Sequence, residues 1–181
     1  MIRCTTLDYI ILGLLQQEPL TGYRIRKSFE ETALGNFGGS PGTIYPALNR
    51  LTKNGLVIKL PIAQTEKFQY NITAPGLKML KEWLGKIPEK EEVQKNLNLL
   101  ILKFAFMDPH IDRYHKLDFL QNLLNESQDY LDELENFYIH EKDSMPLNAQ
   151  LSFEYGLLSY TTTISWCENA METLLQSDHD F

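Results

Sequence analysis

The chain has 181 residues, which is enough for one large domain or two small ones. Its hydrophobic fraction of 43% and charged fraction of 23% are those of a folded protein and exclude an extensively disordered one. No apolar stretch reaches the length of a bilayer span, and the start of the chain lacks a signal-peptide pattern. Two cysteines supply neither a disulfide framework nor a metal cage. We expect a cytoplasmic protein without a cofactor or a membrane partner.

Charge is distributed unevenly along the chain. Residues 1–86 carry 11 Lys and Arg against 6 Asp and Glu, whereas residues 87–181 carry 6 against 18. A mildly basic first part beside a strongly acidic second part indicates that only the first approaches a polyanion. The alternative is an ordinary solvated surface. We predict two domains with these boundaries, 1–86 and 87–181.

Three helices are predicted at the start of the chain. Apolar residues at helical spacing indicate a helix over residues 5–17, which Thr5 or Thr6 can cap. Thr21 then caps a second helix that runs from Gly22 to about residue 32. The segment 34–42 holds four glycines and is predicted to be a loop.

The third helix is predicted from Ser40 to Asn54. Ser40 is its cap, Pro41 lies in its first turn, and Gly55 supplies the left-handed stop. Pro46 conflicts with this helix, because an interior proline costs about 3 kcal/mol. We expect the regular helix to begin at residue 42 or 43, which would bring Pro46 near the first turn.

A hairpin and a fourth helix complete the first domain. Residues 56–62 and 67–72 are predicted strands around the polar tip 63–66, and the second strand alternates apolar and polar residues. Thr73 caps a helix that extends through Trp83 and Leu84. The charged run 88–92 follows and marks the domain boundary.

The second domain is predicted to be entirely helical. Residues 93–107 are apolar nearly all round and are predicted to form a buried helix. Asp108-Pro109 opens a long helix to about residue 143, and Met145-Pro146 separates it from a last helix. Both long helices carry heptad stripes, which predict an antiparallel helical hairpin. The stripe on the last helix is longer than one neighbour requires, and we interpret it as a homodimer face: Phe153, Leu157, Tyr160, Ile164, Cys167, Met171 and Leu174.

This order of elements predicts a mainly α protein with a small β-hairpin: a winged helix-turn-helix followed by an all-helical dimerisation lobe. A DNA major groove about 12 Å wide admits one helix, whose short polar side chains contact base edges. With Ile44, Leu48 and Leu51 facing inward, the outward side of the third helix offers candidates for DNA contact. Arg50 can pair with guanine, Asn49 with adenine and a lysine with phosphate, and the hairpin tip can add backbone contacts. The candidates are Ser40, Thr43, Tyr45, Asn49, Arg50 and Lys53, with Thr65 and Lys67 on the hairpin.

Four segments of this first domain resemble the PadR family of bacterial transcriptional regulators. They are residues 20–23, 40–51, 54–57 and 70–76, and the S-P-G-T-x-Y-P-x-L string that begins at Ser40 is the most specific. The second domain is similar in layout to the virulence-activator type of C-terminal domain. One departure is the hairpin tip, where the family often has a basic Gly-Arg-Pro sequence and this chain has Glu66, which suits a polyanion poorly.

The resemblance implies a homodimer that binds double-stranded operator DNA as a repressor, through an inverted repeat. It places the DNA-reading helix over Ser40 to Lys53 and the wing over residues 56–72. It also implies a small aromatic effector, for which Trp83 and Trp166 are the candidate walls, although aromatic residues at helical spacing are commonly just core.

Other classes of function are weaker. Asp108, His110, Asp112 and His115 could ligate a metal if they converged, but the two acids also suit a helix start, so we expect no metal site. Neither a nucleophile–base pair nor a cofactor loop is present, so we expect no catalytic residues and no enzyme. The alternative to DNA binding is a winged-helix module that binds protein instead.

Overall fold

The computed structural model describes residues 3–177. The chain divides into two compact units between Trp83 and Leu84. We describe each unit by itself.

The first unit consists of four helices and three short strands. In chain order these are α1 (Thr6–Leu15), β1 (Leu20–Thr21), α2 (Gly22–Glu31), α3 (Pro41–Lys53), β2 (Val57–Pro61), β3 (Phe68–Ile72) and α4 (Ala74–Leu84), whose last residue belongs to the second unit. The segment predicted to be a loop contains a 3-10 helix, Ala33–Phe37. Three helices followed by a hairpin give the predicted order of a winged helix-turn-helix.

Three of the predicted caps are present, at the starts of α1, α2 and α4. Thr5 accepts a hydrogen bond from the backbone of Asp8, whose carboxylate accepts from the Thr5 backbone in return, so the two form a capping box. Thr21 caps α2 and Thr73 accepts from the Gly76 backbone at the start of α4. Gly55 follows α3 with a φ of 70°, as predicted for a left-handed helix stop.

Pro46 lies inside α3, and the expectation of a later helix start is wrong. The helix begins at Pro41, with the Ile44 backbone already donating to the Ser40 carbonyl at 3.0 Å. Pro46 therefore occupies the sixth helical position and forfeits one backbone hydrogen bond. Burial of Ile44, Leu48 and their neighbours keeps the segment helical against this cost.

The sheet has three antiparallel strands rather than the two predicted. Its order is β1-β3-β2, with Leu20 opposite Tyr70 and Val57 opposite Ile72. Strand β1 is only two residues long, and its second residue, Thr21, also caps α2. The start of α2 is therefore attached directly to the wing.

The second unit is helical throughout its described part, as predicted. It contains α5 (Lys90–Ala105), α6 (Arg113–Glu141) and α7 (Leu147–Gln176), with a 3-10 turn at Lys142–Ser144. Helix α6 begins four residues later than predicted, because Asp112 rather than Asp108 is its cap and accepts from the His115 backbone at 3.0 Å. No helix in the described part of the chain is long and apolar enough to cross a membrane.

Helices α6 and α7 form the predicted antiparallel hairpin. At one end, Arg113 donates to the carbonyl of Leu175 at 2.9 Å. At the other, the rings of Tyr138 and Phe153 stack with centroids 5.1 Å apart. The hairpin core is formed by residues of both helices together with α5 and the loop that follows it: Val93, Leu100, Phe106, Met107, Phe119, Leu120, Leu123, Leu131, Tyr160 and Cys167.

Candidate nucleic-acid interface

Helix α3 has one buried side and one exposed side. Ile44, Ala47, Leu48 and Leu51 are buried in the core of the first unit. The predicted DNA-contacting residues of this helix all lie on the exposed side: Ser40, Thr43, Tyr45, Asn49, Arg50 and Lys53. This placement is the one required of a helix that enters a groove.

The first two candidates shape the start of α3. Ser40 occupies the cap position without a capping hydrogen bond from its side chain. The Thr43 hydroxyl lies 2.9 Å from the Ser40 carbonyl, also contacts the Gly38 carbonyl, and is 3.3 Å from the Ser40 hydroxyl. The local bonds of both side chains order the turn before α3, and their contact with DNA stays a prediction.

Arg50 is held in a way that the sequence prediction missed. Its Nη2 donates to Asp8 Oδ1 at 2.7 Å and its Nε to Asp8 Oδ2 at 3.2 Å. This bond to Asp8 is the largest cause of the raised pKa of Arg50. Nε and Nη2 of Arg50 are thus directed at a carboxylate of α1. The pairing of Arg50 with guanine stays a prediction.

Tyr45 and the wing line a common cleft of about 400 Å³. The Tyr45 ring lies directly on the start of α2, where a Cβ on Gly22 would approach its Cε1 to 2.7 Å, so a side chain at position 22 would displace the ring. Burial, and then the neighbouring Tyr45, raise the pKa of Tyr70, which keeps that phenol neutral. The cleft is lined by Thr21, Gly22, Tyr23, Tyr45, Lys59, Lys67, Phe68 and Tyr70.

The wing contributes one cation from strand β2, Lys59, and one from the residue that precedes β3, Lys67. The Lys59 ammonium lies over the Phe68 ring at 4.2 Å, and Lys67 is exposed beside it in the cleft. Thr65, the other predicted wing contact, accepts from the Lys67 backbone at 3.2 Å and orders the turn. The structure thus brings Tyr45 and Lys67 together, while Thr65 lies outside the cleft lining. Sequence reasoning did not identify Tyr23 of α2, which is exposed and lines the cleft.

Ion pairing in the first unit leaves certain lysines unneutralised. Acidic residues pair with Arg24, Arg26, Lys27, Arg50 and Lys78 at 2.7–4.0 Å. Among residues 3–177, no carboxylate pairs with Lys53 on α3 or with Lys59 and Lys67 on the wing. These three exposed ammonium groups give α3 and the wing a positive charge that is available to phosphates.

The two tryptophans predicted to line an effector site each pack within their own unit. In the first unit, the Trp83 ring stacks on Tyr9 with centroids 4.8 Å apart and planes 6° from parallel. In the second, Trp166 meets Phe104 edge-on at 5.4 Å. Their part in effector binding stays a prediction.

The acidic and histidine residues near the start of α6 have local roles. The Asp112 carboxylate caps the helix and lies 2.7 Å from His115 Nδ1, and these hydrogen bonds lower the pKa of Asp112. Asp108 pairs with Lys116. In the described residues no cluster of three or more His, Cys, Asp or Glu could hold a metal ion.

The exposed side of α3, the wing, and the lysines there that have no carboxylate partner in the described residues together define a winged-helix DNA-binding unit. Units of this class occur in proteins that regulate transcription. The family model "Transcriptional regulator PadR-like family" matches residues 11–82. The negative transcriptional regulator PadR of Bacillus subtilis is 32% identical over 136 residues, which cover 73% of this chain and 72% of that protein. The chain belongs to the PadR family of DNA-binding transcriptional regulators, and the relatives are named as regulators rather than enzymes.

Two solved structures of Bacillus subtilis PadR are similar to this chain. The PadR chain in the complex with operator DNA is 28% identical to this chain, with a TM-score of 0.43. The match covers 94% of this chain and 99% of the PadR chain. The PadR chain in the complex with p-coumaric acid is 26% identical, with a TM-score of 0.40, and the match covers 94% of this chain and 96% of the PadR chain. The family assignment rests on the sequence relationship. The family match ends at residue 82, and the virulence-activator type of the second unit stays a prediction.

Proposed function

We propose that this protein is a homodimeric repressor that binds an inverted-repeat operator through α3 and the wing. The observation that carries the proposal is the set of exposed lysines on α3 and the wing, together with the cleft that Tyr45 shares with Lys59 and Lys67. A helix for the groove and cations for the flanking backbone are what sequence-specific binding of duplex DNA requires. A protein that binds operator DNA in this way would lie in the cytoplasm, where it meets that DNA.

The contacts divide between base reading and backbone binding. Asn49 is exposed on α3, and its amide can pair with adenine through one donor and one acceptor. Lys53 lies one turn further along the same side and is suited to a phosphate. Lys59 and Lys67 would bind the backbone beside the groove, where the Glu66 tip is not needed.

Repression is supported by the relative with 32% identity, which is named a negative transcriptional regulator. A dimer that occupies an operator can block transcription by its presence alone. The proposal therefore requires no catalytic step.

The dimer face is proposed on a different side of α7 from the stripe identified in the sequence. That stripe is largely used within the chain: Phe153 stacks on Tyr138, Tyr160 meets Tyr130 edge-on, and Cys167 is buried. Helical rotation of about 100° per residue places a second apolar stripe opposite those buried residues. It consists of Leu147, Leu151, Tyr155 and Leu158, all more than half exposed.

An exposed stripe of this kind is well suited to a second copy of the same helix. Positions 151, 155 and 158 follow the four-three spacing of a coiled-coil seam, in which two such stripes interdigitate, and Leu147 lies one turn before them. Pairing two chains would also supply the two reading helices that an inverted repeat needs.

A small aromatic effector is proposed as the regulating ligand. The proposal rests on the family resemblance, and the two tryptophans supply one optical reporter in each unit. Titration with p-coumaric acid tests it by following tryptophan fluorescence and operator affinity together. Release of DNA on titration supports the effector, and unchanged affinity with unchanged fluorescence contradicts it for this ligand.

The DNA-binding proposal is tested by fluorescence anisotropy with labelled duplexes from the DNA that flanks the gene. We expect saturable binding that weakens steeply with salt and exceeds binding to a scrambled duplex of equal length. Equal binding to both duplexes at every salt concentration contradicts sequence-specific recognition. Failure to bind any duplex favours the protein-interaction alternative.

A further inference from the structure

The Arg50 side chain starts on the DNA-facing side of α3 but ends on α1. Its guanidinium forms a bidentate pair with Asp8, through Nη2 to Oδ1 at 2.7 Å and Nε to Oδ2 at 3.2 Å. Parallel donors of this kind match a carboxylate in geometry as well as in charge. The pair joins residues 42 positions apart and so connects the reading helix to the first helix.

The partner carboxylate is almost completely buried. Asp8 is 1% exposed, whereas the Arg50 side chain is 42% exposed. Asp8 Oδ2 also accepts from the Thr5 backbone at 2.8 Å and from the Thr5 hydroxyl at 3.0 Å. Four donors from Arg50 and Thr5 converge on the carboxylate, three of them on Oδ2 and one on Oδ1. The carboxylate is therefore fixed in position, and Arg50 provides the cation it pairs with.

The bond constrains α3 at the point where base reading would occur. Helix α1 is anchored in the core by Ile10, Ile11 and Leu12, so Asp8 has a fixed place in the unit. Because Arg50 bonds to Asp8, it fixes the position of α3 relative to α1, at a point next to Asn49 and one turn before Lys53. Binding sites require their supporting groups to hold side chains within about 0.5 Å of the productive geometry.

We propose that Arg50 is a positioning residue of the DNA interface, which together with Asp8 sets the orientation of α3, and that it is not a base-reading residue. This inference rests on the proposed DNA-binding function. It assigns to Asp8, a residue outside the reading helix and the wing, a role in operator affinity.

The two roles of Arg50 give opposite expectations for a change at Asp8. If Arg50 positions α3, Asp8→Asn removes the charge that holds the guanidinium and weakens DNA binding. If Arg50 reads a base, Asp8→Asn releases the guanidinium and leaves DNA binding equal or tighter. The asparagine is nearly isosteric, and its one carbonyl oxygen, at the Oδ2 position, can still accept from Thr5 and from Arg50 Nε, which favours a folded variant. Its amide nitrogen, at the Oδ1 position, cannot accept from Arg50 Nη2.

The test is a double-mutant cycle with Asp8→Asn, Arg50→Gln and the double variant, measured by anisotropy on an operator and on its single base-pair variants. We expect each single variant to bind more weakly by a similar factor on every duplex. The double variant should fall short of the product of the two losses by about threefold or more, because the residues act as a pair. Circular dichroism at the assay temperature shows that the compared variants are folded, so loss of stability alone would not produce this pattern.

Arg50→Lys provides a second variant that keeps the charge but loses the bidentate fork. We expect its affinity to lie between those of the wild type and Arg50→Gln, again without a change in base preference. The positioning role is overturned if Asp8→Asn binds as tightly as the wild type while Arg50→Gln loses preference at one base pair. If the wild type itself binds no duplex, the proposed function fails, which is a distinct result.

Discussion

At the scale of single residues, Lys59 and Lys67 give the most direct test of the wing. Both are exposed in the cleft shared with Tyr45 and have no carboxylate partner within the described chain. Replacing both with Gln should lower operator affinity and reduce the slope of log K against log salt by about 0.9 for each lost phosphate contact. Anisotropy titrations over a range of salt concentrations measure this slope.

Lys78→Gln is the matched control for the wing variants. Lys78 is an exposed lysine of the same unit, on α4, and pairs with Glu82 at 4.0 Å. We expect its salt slope to equal that of the wild type. An equal loss of slope in the control and the wing variants would show that the effect comes from overall charge, not from the wing.

Asn49 and Lys53 should differ in the kind of loss that they cause. Asn49→Ala should cost about 1–3 kcal/mol on the best operator and relax preference at one base pair. Lys53→Gln should weaken binding to all sequences alike, because a phosphate contact carries no base information. Binding to a set of operators with single base-pair changes separates the two. A uniform loss for Asn49→Ala would contradict its assignment as a base reader.

Lys103 in the second unit predicts a dependence of stability on pH. The residue is 2% exposed, its ammonium donates to the Lys86 carbonyl at 2.6 Å, and burial lowers its pKa from 10.5 to about 8. Between these values the unfolded chain binds more protons than the folded one. The contribution of Lys103 to the free energy of unfolding therefore rises with pH over this window.

Lys103→Met should remove that rise. We expect the difference in unfolding free energy between wild type and variant to change by about 2 kcal/mol in favour of the wild type from pH 7 to 9.5. Urea unfolding in a Trp83→Phe background follows Trp166, which packs on the adjacent Phe104. A difference that is constant with pH would contradict the lowered pKa.

Sequence reasoning could predict which residues of α3 are exposed, but not what each one contacts. The 3.6-residue period is local and places Ile44, Leu48 and Leu51 inside, which leaves Asn49 and Arg50 outside. The partner of Arg50 lies on another helix and depends on how the two helices pack. The aspartate inside the helix-capping pattern was the signal available in the sequence. Identifying Arg50 as its partner required the folded structure.

At the scale of elements, the second apolar stripe of α7 carries the dimer proposal. Replacing Leu151 and Leu158 with Glu should give a monomer, because charges opposite one another in a packed helical seam are strongly disfavoured. Sedimentation analysis measures the mass over a range of protein concentrations. Leu175→Glu is the control, since Leu175 is exposed on α7 but outside the stripe. A dimer that survives in the double variant would place the interface elsewhere.

The elements that were predicted correctly have strong local signals. The caps at Thr5, Thr21 and Thr73 and the stop at Gly55 depend on neighbours within a few residues. Strand β1 was missed because two residues carry no periodicity, and pairing with β3 alone makes it a strand. At the start of α6, Asp108 and Asp112 both resemble caps, and only the folded chain decides between them.

At the scale of the whole molecule, we expect DNA binding and dimerisation to depend on each other. One reading helix contacts only a few base pairs, so an isolated first unit should bind with low affinity and little selectivity. The monomeric Leu151 and Leu158 variant should therefore lose operator affinity although every DNA-contacting residue is intact. Unchanged affinity in a monomeric variant would show that a single unit suffices.

The central claim is that two copies of α3 and the wing read an inverted repeat. Its most direct test is selection of bound duplexes from a random DNA library by the purified wild-type protein, followed by sequencing. We expect enrichment of two inverted half-sites whose centres lie about 34–36 Å, or a multiple of this distance, apart. The Asn49→Ala protein should lose the preference at one position in each half-site. A library that shows no enrichment after repeated rounds would contradict the account.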